Sequence, residues 1–480
     1  MISLRAQGLS TETLDAELQR SRERDLDWRS GRVFAYVYPV EPELEAVQKQ
    51  AYNAYLTENA LDPTVFPSLK RFENEVVGIC LSHLHAPEGS VGAFTSGGTE
   101  SCMLAVKSAR EWARARGVAK PEIVVPVTAH AAFAKAAHYF DVQMHLVPVN
   151  PTSFAVTPEA MRAACNENTC LLVASAPSYA HGVMDPIEEI GRLAEELHLP
   201  FHVDACIGGW LLPYFEKLGR SMRPFDFRVP GVSSISMDLH KYGFCPKGAS
   251  VVLYRDPAMR DHQAFACADW TGYSVVNLTI QSSKSGGPVA AAWATLNYLG
   301  EEGYLALAKK MKEATDTLVR ELPGIGGLRI LGEPVMSLIA FTSPEVNAFL
   351  LIDAMRERGW FLQPQFKTET GVENIHLTIT PRTLDHLPAF LADLRAAVPI
   401  AKSRELGPMV QQLGPVLASL DPKTLTDETL RAMLAMGGLG GDDLPAQMAE
   451  VNAILNELPK PVLEKLLKTF IGGLLRPAQA

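Results

Sequence analysis

Short apolar runs alternate with longer amphipathic stretches between residues 90 and 260, and this alternation constrains the fold more than any other feature. Runs that are apolar at nearly every position are typical of strands buried on both faces of a sheet. Strands that alternate with helices along a chain form a largely parallel sheet covered by helices. The pattern therefore predicts an α/β domain, whose expected strands include residues 122–127, 170–174, 201–203 and 250–254.

The chain has 480 residues, more than one compact core usually requires, so we expect several structural units. We divide it into an N-terminal arm (1–60), a large α/β domain (61–290), a small α+β domain (291–400) and a helical extension (401–480). Apolar residues of the extension recur at helical spacing, which predicts packing on the same chain or on a second copy. The alternatives are a membrane surface or another protein. The stripe consists of Val462, Leu463, Leu466, Leu467, Phe470, Ile471 and Leu474.

Composition narrows the classes of function. The formal net charge of −10 argues against general nucleic-acid binding, which requires a basic face. No apolar run reaches the roughly 20 residues that a membrane helix requires. The seven cysteines are odd in number and show no metal-binding spacing, and the N-terminus has no secretory signal. We therefore expect reduced thiols in a cytoplasmic protein without a metal centre.

A glycine-rich segment, Ser96-Gly-Gly-Thr-Glu-Ser101, precedes a long helical stretch. Glycines allow backbone N–H groups to approach an anion, and a helix N-terminus favours negative charge. Thr99 and Ser101 add hydroxyl donors. The segment resembles neither a P-loop nor a dinucleotide fingerprint. It predicts a phosphate cradle, although an ordinary turn would have the same composition.

Two charged residues follow apolar runs. Asp204 ends the run 201–203, and ligands of open α/β sheets bind at such strand ends. A buried carboxylate requires a partner, which could be a protonated ring nitrogen or a structural hydrogen bond. Lys241 lies between two apolar strands, where we expect its pKa to be low, and a neutral amine of this kind forms imines. Its alternative is a lysine at a sheet edge with an exposed ammonium group.

Two histidines complete the set of candidate residues. His130 follows the run 122–127, where a planar imidazole could lie against a flat heteroaromatic ring. His240, next to Lys241, could donate to a phosphate or carry a proton. Each could alone be an ordinary residue of a helix start or a loop. Phosphate cradle, stacking ring, carboxylate and amine nevertheless occur in one α/β domain at four separate strand ends.

These motifs resemble those of the group II decarboxylases, which depend on pyridoxal 5'-phosphate (PLP) and have fold type I. Within that superfamily, the chain is most similar to the sphingosine-1-phosphate lyases. The resemblance runs from about residue 30 to 400 and implies a large, mainly parallel-sheet domain and a small α+β domain. It is carried by the segments 95–101, 129–133, 181–186, 202–205, 225–228 and 240–243.

The resemblance implies specific roles for the cofactor residues. Lys241 would form the Schiff base with PLP, and Asp204 would face the pyridine nitrogen. His130 would stack on the ring. The residues that would hold the cofactor phosphate are Gly98, Thr99 and His240. The family also implies a homodimer with active sites at the interface, in which Ser282 or Ser283 reaches the phosphate bound by the second subunit.

On the substrate side, Lys247 matches a lysine that faces the substrate phosphate in the lyases. The chain departs from the family at Phe34, where a Tyr is usual, and at Asp62, where a His is usual. We expect a carboxylate at position 62 to repel a phosphate dianion. Tyr36 or Tyr38 would compensate if the alignment shifts.

We predict a PLP-dependent lyase that cleaves the Cα–Cβ bond of a long-chain β-hydroxy amine, phosphorylated or not. The products would be an aldehyde and, from a phosphorylated substrate, phosphoethanolamine. The alternative is an amino-acid α-decarboxylase, which Phe34, Asp62 and a possible carboxylate contact of Arg382 favour. A third alternative is a PLP-binding protein that interacts with partners through its C-terminal extension.

Overall fold

The computed structural model describes residues 3–369, 371–407, 410, 419–436, 438, 439, 445 and 447–477. Three helices precede the first strand: α1 (Thr11–Arg22), α2 (Pro42–Ala54) and α3 (Pro67–His83). The α/β part that follows comprises β1 (Val91–Thr95), α4 (Gly98–Arg114), β2 (Glu122–Pro126), α5 (Ala132–Phe140), β3 (Gln143–Val147), α6 (Pro158–Ala163), β4 (Thr169–Ser175), α7 (Ile187–Leu197), β5 (Phe201–Asp204), α8 (Leu212–Lys217), β6 (Ser234–Met237), β7 (Ser250–Tyr254), α9 (Pro257–Asp261), β8 (Phe265–Cys267) and β9 (Val275–Asn277).

A seven-stranded sheet organises this part, with strand order β1-β7-β6-β5-β4-β2-β3. Strands β3, β2, β4, β5 and β6 pair in parallel, whereas β7 runs antiparallel to both of its neighbours. Every residue of β2, β4, β5, β6 and β7 is buried, because helices cover both faces. The predicted α/β fold with a largely parallel sheet is confirmed.

Helix α10 (Gly286–Glu321), which is kinked at Gly300, connects the large domain to the small one. Its first half packs in the core of the large sheet, and its last turns pack in the core of the small domain. The division predicted near residue 290 therefore falls inside this helix. The small domain then comprises β10 (Arg329–Ile330), β11 (Leu338–Thr342), α11 (Ala348–Arg356), β12 (Gln363–Gln365), β13 (Asn374–Thr378) and α12 (Pro381–Ser403).

The small domain has an antiparallel four-stranded sheet with strand order β10-β11-β13-β12. A segment of the N-terminal arm joins it, because Val33 forms a bridge with Phe361. Phe34 consequently packs between Trp360 and Phe390, with ring centroids 6.1 and 4.8 Å away. The arm is thus part of the core of the small domain.

Three described helices follow α12: α13 (Asp427–Met436), α14 (Ala449–Glu457) and α15 (Lys460–Leu474). Val462, Leu463 and Leu466 of the predicted stripe are buried against α13. Leu467 and Ile471 are 44% and 50% exposed, so only one side of the stripe packs within the chain. None of the described helices combines the length and apolar character needed to cross a membrane.

Candidate active site

A cavity of about 370 Å³ opens at the carboxyl edge of the large sheet. Its walls come from the segments that follow β1, β2, β4, β5 and β6, because parallel strands all end at the same edge. The structure brings the predicted cofactor residues of this chain together here. They are Gly98, Thr99, His130, Asp204, His240 and Lys241.

The glycine-rich segment forms the N-terminus of α4, whose first residues line the cavity. The buried Glu100 caps this turn, since one of its oxygens accepts hydrogen bonds from both the backbone and the hydroxyl of Ser96, each at 2.7 Å. A Cβ atom on Gly98 would lie 2.5 Å from Asp238 Oδ2, so glycine is required. Ser101 is not a cradle residue, contrary to the prediction, because its hydroxyl contacts Thr95 and Ser250 in the core.

Asp204 is the last residue of β5 and is 7% exposed. Its Oδ1 atom accepts a hydrogen bond from the backbone N–H of Cys206 at 3.0 Å. The Ser236 hydroxyl on β6 donates to the same oxygen at 3.4 Å. The carboxylate is thereby fixed at the edge of the sheet and lines the cavity, where it can accept a hydrogen bond from a bound ring nitrogen.

Lys241 lies in the connection from β6 to β7, and its ammonium group pairs with Asp238 Oδ2 at 2.9 Å. The prediction of a low Lys241 pKa is wrong for this pair. Burial alone would lower the pKa of Lys241, but the Asp238 carboxylate more than offsets it and the pKa is raised. Burial likewise opposes charge on Asp238, yet Lys241 and then His240 keep the pKa of that carboxyl below its ordinary value.

Two buried polar atoms at this pair have no hydrogen-bond partner among the described residues: the second carboxylate oxygen of Asp238, Oδ1, and Nδ1 of the neighbouring His240. Burial lowers the pKa of His240, although Asp238 acts in the opposite direction. Across the cavity, His130 Nδ1 accepts a hydrogen bond from the backbone N–H of Ala132 at 3.1 Å, which fixes the imidazole ring. The cavity thus offers unsatisfied donor and acceptor atoms to a bound group.

The sequence interpretation missed Tyr179, which lines the cavity after β4. Its ring stacks on His376 with centroids 4.3 Å apart, and its hydroxyl donates to Gln363 at 2.6 Å. These two partners belong to the small domain, so Tyr179 connects the domains at the cavity. No local motif marks this residue, because its position depends on the approach of the second domain.

Lys247 lies beside the cavity, with its ammonium group 3.5 Å from the His240 carbonyl oxygen and 5.1 Å from the centre of the Tyr38 ring. Burial and then the Lys241 charge lower the pKa of Lys247. Tyr38 contacts Tyr242 edge-on, with ring centroids 5.0 Å apart. Tyr36, by contrast, is 63% exposed and contacts Phe361. Tyr38 is therefore the nearer of the two predicted tyrosines to the Lys241 and Lys247 amines.

Two predicted substrate residues do not line the cavity of their own chain. Phe34 is 1% exposed in the core of the small domain, where no substrate reaches it. Asp62 caps an exposed turn, in which its carboxylate accepts hydrogen bonds from the backbone and hydroxyl of Thr64. Arg382 pairs with Glu41 at 2.9 Å and is not among the residues that line the cavity.

Ser282 and Ser283 are exposed in the loop before α10 and are not among the residues that line the cavity of the same chain. The loop follows the hairpin formed by β8 and β9. Their contact with the cofactor phosphate of a second subunit stays a prediction.

Comparison with known proteins supports the interpretation of this cavity as a cofactor site. A family model described as the pyridoxal-dependent decarboxylase conserved domain matches residues 26–343. The chain belongs to this family. A second model, for the C-terminal HTH domain of pyridoxal-dependent enzymes, matches residues 411–473. That segment lies beyond the stretch from about residue 30 to 400 that carries the resemblance in the sequence.

The relatives of this family member include sphingosine-1-phosphate lyases. Sphingosine-1-phosphate lyase 1 of Rattus norvegicus is 40% identical over 435 residues, which are 88% of this chain and 75% of the relative. The Arabidopsis thaliana sphingosine-1-phosphate lyase is 40% identical, over 86% of this chain and 76% of its own. The Burkholderia pseudomallei sphingosine-1-phosphate lyase structure superposes with a TM-score of 0.80 at 37% identity, covering 84% of this chain and 93% of that one.

A Lactobacillus brevis glutamate decarboxylase superposes with a TM-score of 0.74 at 22% identity, which shows the fold alone. The family assignment establishes a PLP-dependent lyase of fold type I. The cavity fits that cofactor, because it combines a lysine amine, a strand-end carboxylate and a helix N-terminus that suits a phosphate. The unpartnered Asp238 Oδ1 and His240 Nδ1 atoms are further groups that a bound cofactor can satisfy.

Proposed function

We propose that this PLP-dependent lyase cleaves the Cα–Cβ bond of a phosphorylated long-chain β-hydroxy amine. The observation that carries the proposal is Lys247, a cation beside the cavity and 5.1 Å from the Tyr38 ring. An ammonium group in this place can bind a phosphate outside the cofactor site. The similarity to sphingosine-1-phosphate lyases over most of the chain supports the same substrate class.

Each residue of the cavity has a separate role in this reaction. PLP, when bound, supplies an electron sink for the pair released as the Cα–Cβ bond breaks. Asp204 would accept a hydrogen bond from the ring N–H and would keep that nitrogen protonated. The Lys241 amine, near Asp238, would accept the proton that the β-hydroxyl loses as the aldehyde forms and would return a proton to Cα, so that proton transfer balances. Thr99 and His240 would hold the cofactor phosphate, and His130 would cover the ring.

The reaction products distinguish the lyase from the amino-acid decarboxylase that is its alternative. The purified enzyme should convert a long-chain β-hydroxy amine phosphate to one aldehyde and one phosphoethanolamine per turnover. The unphosphorylated amine should react at least about tenfold more slowly in kcat/KM, since it lacks the group that Lys247 binds. Release of carbon dioxide from an amino acid, without aldehyde from any amine phosphate, would refute the proposal.

The decarboxylase alternative loses its main support on the substrate side. Arg382, the cation expected to bind a substrate carboxylate, is paired with Glu41 outside the cavity. A panel of amino acids in the same assay tests this alternative directly.

We also propose that the active enzyme is a homodimer. Large apolar side chains are exposed around the β8–β9 hairpin, next to the loop that carries Ser282 and Ser283. Exposed apolar patches of this kind often mark an interface between chains, and isologous dimers are the commonest assembly. The exposed residues are Phe265, Trp270, Tyr273, Val276 and Ile280.

A further inference from the structure

Two buried thiols flank the Asp204 carboxylate in the cofactor cavity. Cys102 is on α4 and Cys206 follows β5, and their Sγ atoms are 3.9 Å apart. Together with a carboxylate oxygen of Asp204, they present three ligand atoms that all lie within 4.8 Å of one another. All three residues are buried, yet all three line the cavity, which gives access to them.

The distance between the two Sγ atoms matches what a tetrahedral metal ion requires. Zinc–thiolate bonds of about 2.3 Å place two thiolates of one tetrahedral ion about 3.8 Å apart. Ser236 Oγ supplies a fourth donor atom, 3.6 Å from Cys102 Sγ, 3.2 Å from Cys206 Sγ and 3.4 Å from Asp204 Oδ1. His202 Nε2 lies 3.1 Å from that hydroxyl and orients it.

We propose that the chain, when its cavity holds no PLP, binds one thiolate-favouring divalent cation such as Zn²⁺ through Cys102, Cys206 and Asp204. Ser236 or a water molecule completes the tetrahedron. The cation and PLP exclude each other, because both require the Asp204 carboxylate and both occupy the same cavity. The competition with PLP rests on the proposed cofactor role of Asp204, whereas binding of the cation does not.

Protons balance the binding step. A thiol is ordinarily protonated at neutral pH, so one divalent ion displaces two protons as two metal–sulfur bonds form. The nearby Lys241 ammonium group, which interacts with Cys206, offsets part of the resulting negative charge.

Cobalt titration of the full-length chain tests the site, because thiolate ligands give Co²⁺ an intense charge-transfer absorption. The chain freed of PLP should bind one Co²⁺ with this absorption and release two protons per ion in weak buffer. Cys102→Ala and Cys206→Ala should each weaken binding at least about 100-fold. The Cys165→Ser, Cys267→Ser double variant is the matched control, since it removes the two more exposed thiols and should bind as the wild type does.

Several results would overturn the proposal. Absence of the charge-transfer band in the wild type would do so, as would its retention in either alanine variant. Loss of the band in the control double variant would assign the binding to surface thiols. Co²⁺ binding that is equally tight in the PLP-loaded chain would refute the exclusion. Cys102→Ser and Cys206→Ser, which nearly preserve side-chain volume, replace any alanine variant whose near-ultraviolet circular dichroism shows misfolding.

Discussion

The Lys241 ammonium group and the Asp238 carboxylate, 2.9 Å apart, form the charged pair at the base of the cavity. The pair orients the amine towards the position of the cofactor, and it requires that no side chain project from the adjacent helix start. Gly98 meets this requirement, because a Cβ atom there would lie 2.5 Å from Asp238 Oδ2. The glycine-rich segment thus serves the lysine as well as the phosphate.

Substitution of Gly98 tests this contact. Gly98→Ala should displace the Asp238 carboxylate and weaken PLP binding at least about tenfold, or roughly 1.4 kcal/mol. The affinity can be measured by fluorescence titration of the cofactor-free chain. Gly78→Ala is the control, because Gly78 lies on helix α3 and a Cβ atom there has no neighbour within 4 Å. Equal affinities in the two variants would show that the contact is unimportant.

The positive charge of Lys247 is the second feature to test by substitution. Lys247→Ala should lower kcat/KM for a phosphorylated amine about tenfold, equivalent to roughly 1.4 kcal/mol of transition-state binding. Lys247→Arg keeps the positive charge and should retain most of the activity. The unphosphorylated amine should react at similar rates with all three enzymes. A similar loss with both substrates would indicate a structural role for Lys247.

Buried histidines in the strands and loops of both sheets make the stability of the fold depend on pH. Burial lowers the pKa to about 4 in each of His181, His202 and His376. Their ordinary value is about 6.5, so the folded value is depressed. Each therefore contributes stability that is fully present above pH 6.5 and is lost as the pH falls towards 4.

Urea unfolding between pH 7 and 4.5 measures this coupling. The free energy of unfolding should fall with decreasing pH, by up to about 1.4 kcal/mol per pH unit for each buried histidine. His202→Gln, within the β5 strand, should reduce the slope by one such increment. The exposed His138→Gln, on α5, should leave the slope unchanged. The linkage assignment fails if the two variants have the same slope.

Secondary structure was predictable where burial dominates. The run 250–254 was predicted with the bounds that β7 has, because a fully buried strand is apolar at every position. Strand β3 was missed, since it lies at the sheet edge and is mostly exposed or half-buried. The passage of α10 from one domain core to the other was also missed: its residues up to Met311 pack in the core of the large domain, and Ala314 and Leu318 pack in that of the small one.

The residues of the candidate site were likewise predictable where they follow buried strands. Asp204 and Lys241 follow buried strands, so their approach to one edge of the sheet follows from the order of the strands. Tyr179 could not be found in this way, because the small domain positions its ring. Phe34 was misinterpreted for a related reason, since pairing of the arm with the small domain buries it. Contacts between domains are not encoded in any local pattern.

At the scale of the whole molecule, we expect activity to depend on the assembly of two chains into a dimer. If Ser282 or Ser283 completes the partner's cofactor site, the active species must contain two chains. Sedimentation at enzyme-assay concentrations should therefore show a dimer that carries PLP. Trp270→Asp and Tyr273→Asp, in the exposed patch, should weaken the dimer and lower activity together, because charge is disfavoured in an apolar interface. A PLP-loaded monomer with full turnover would refute the dimer.

The covalent attachment of the cofactor tests the central assignment most directly. The enzyme should show the visible absorption of a Schiff base, and borohydride reduction followed by peptide mapping should place the label on Lys241. Lys241→Ala should lack both the absorption and the label while retaining its fold by circular dichroism. A label on Lys247, Lys284 or any other lysine would contradict the active site described for this chain.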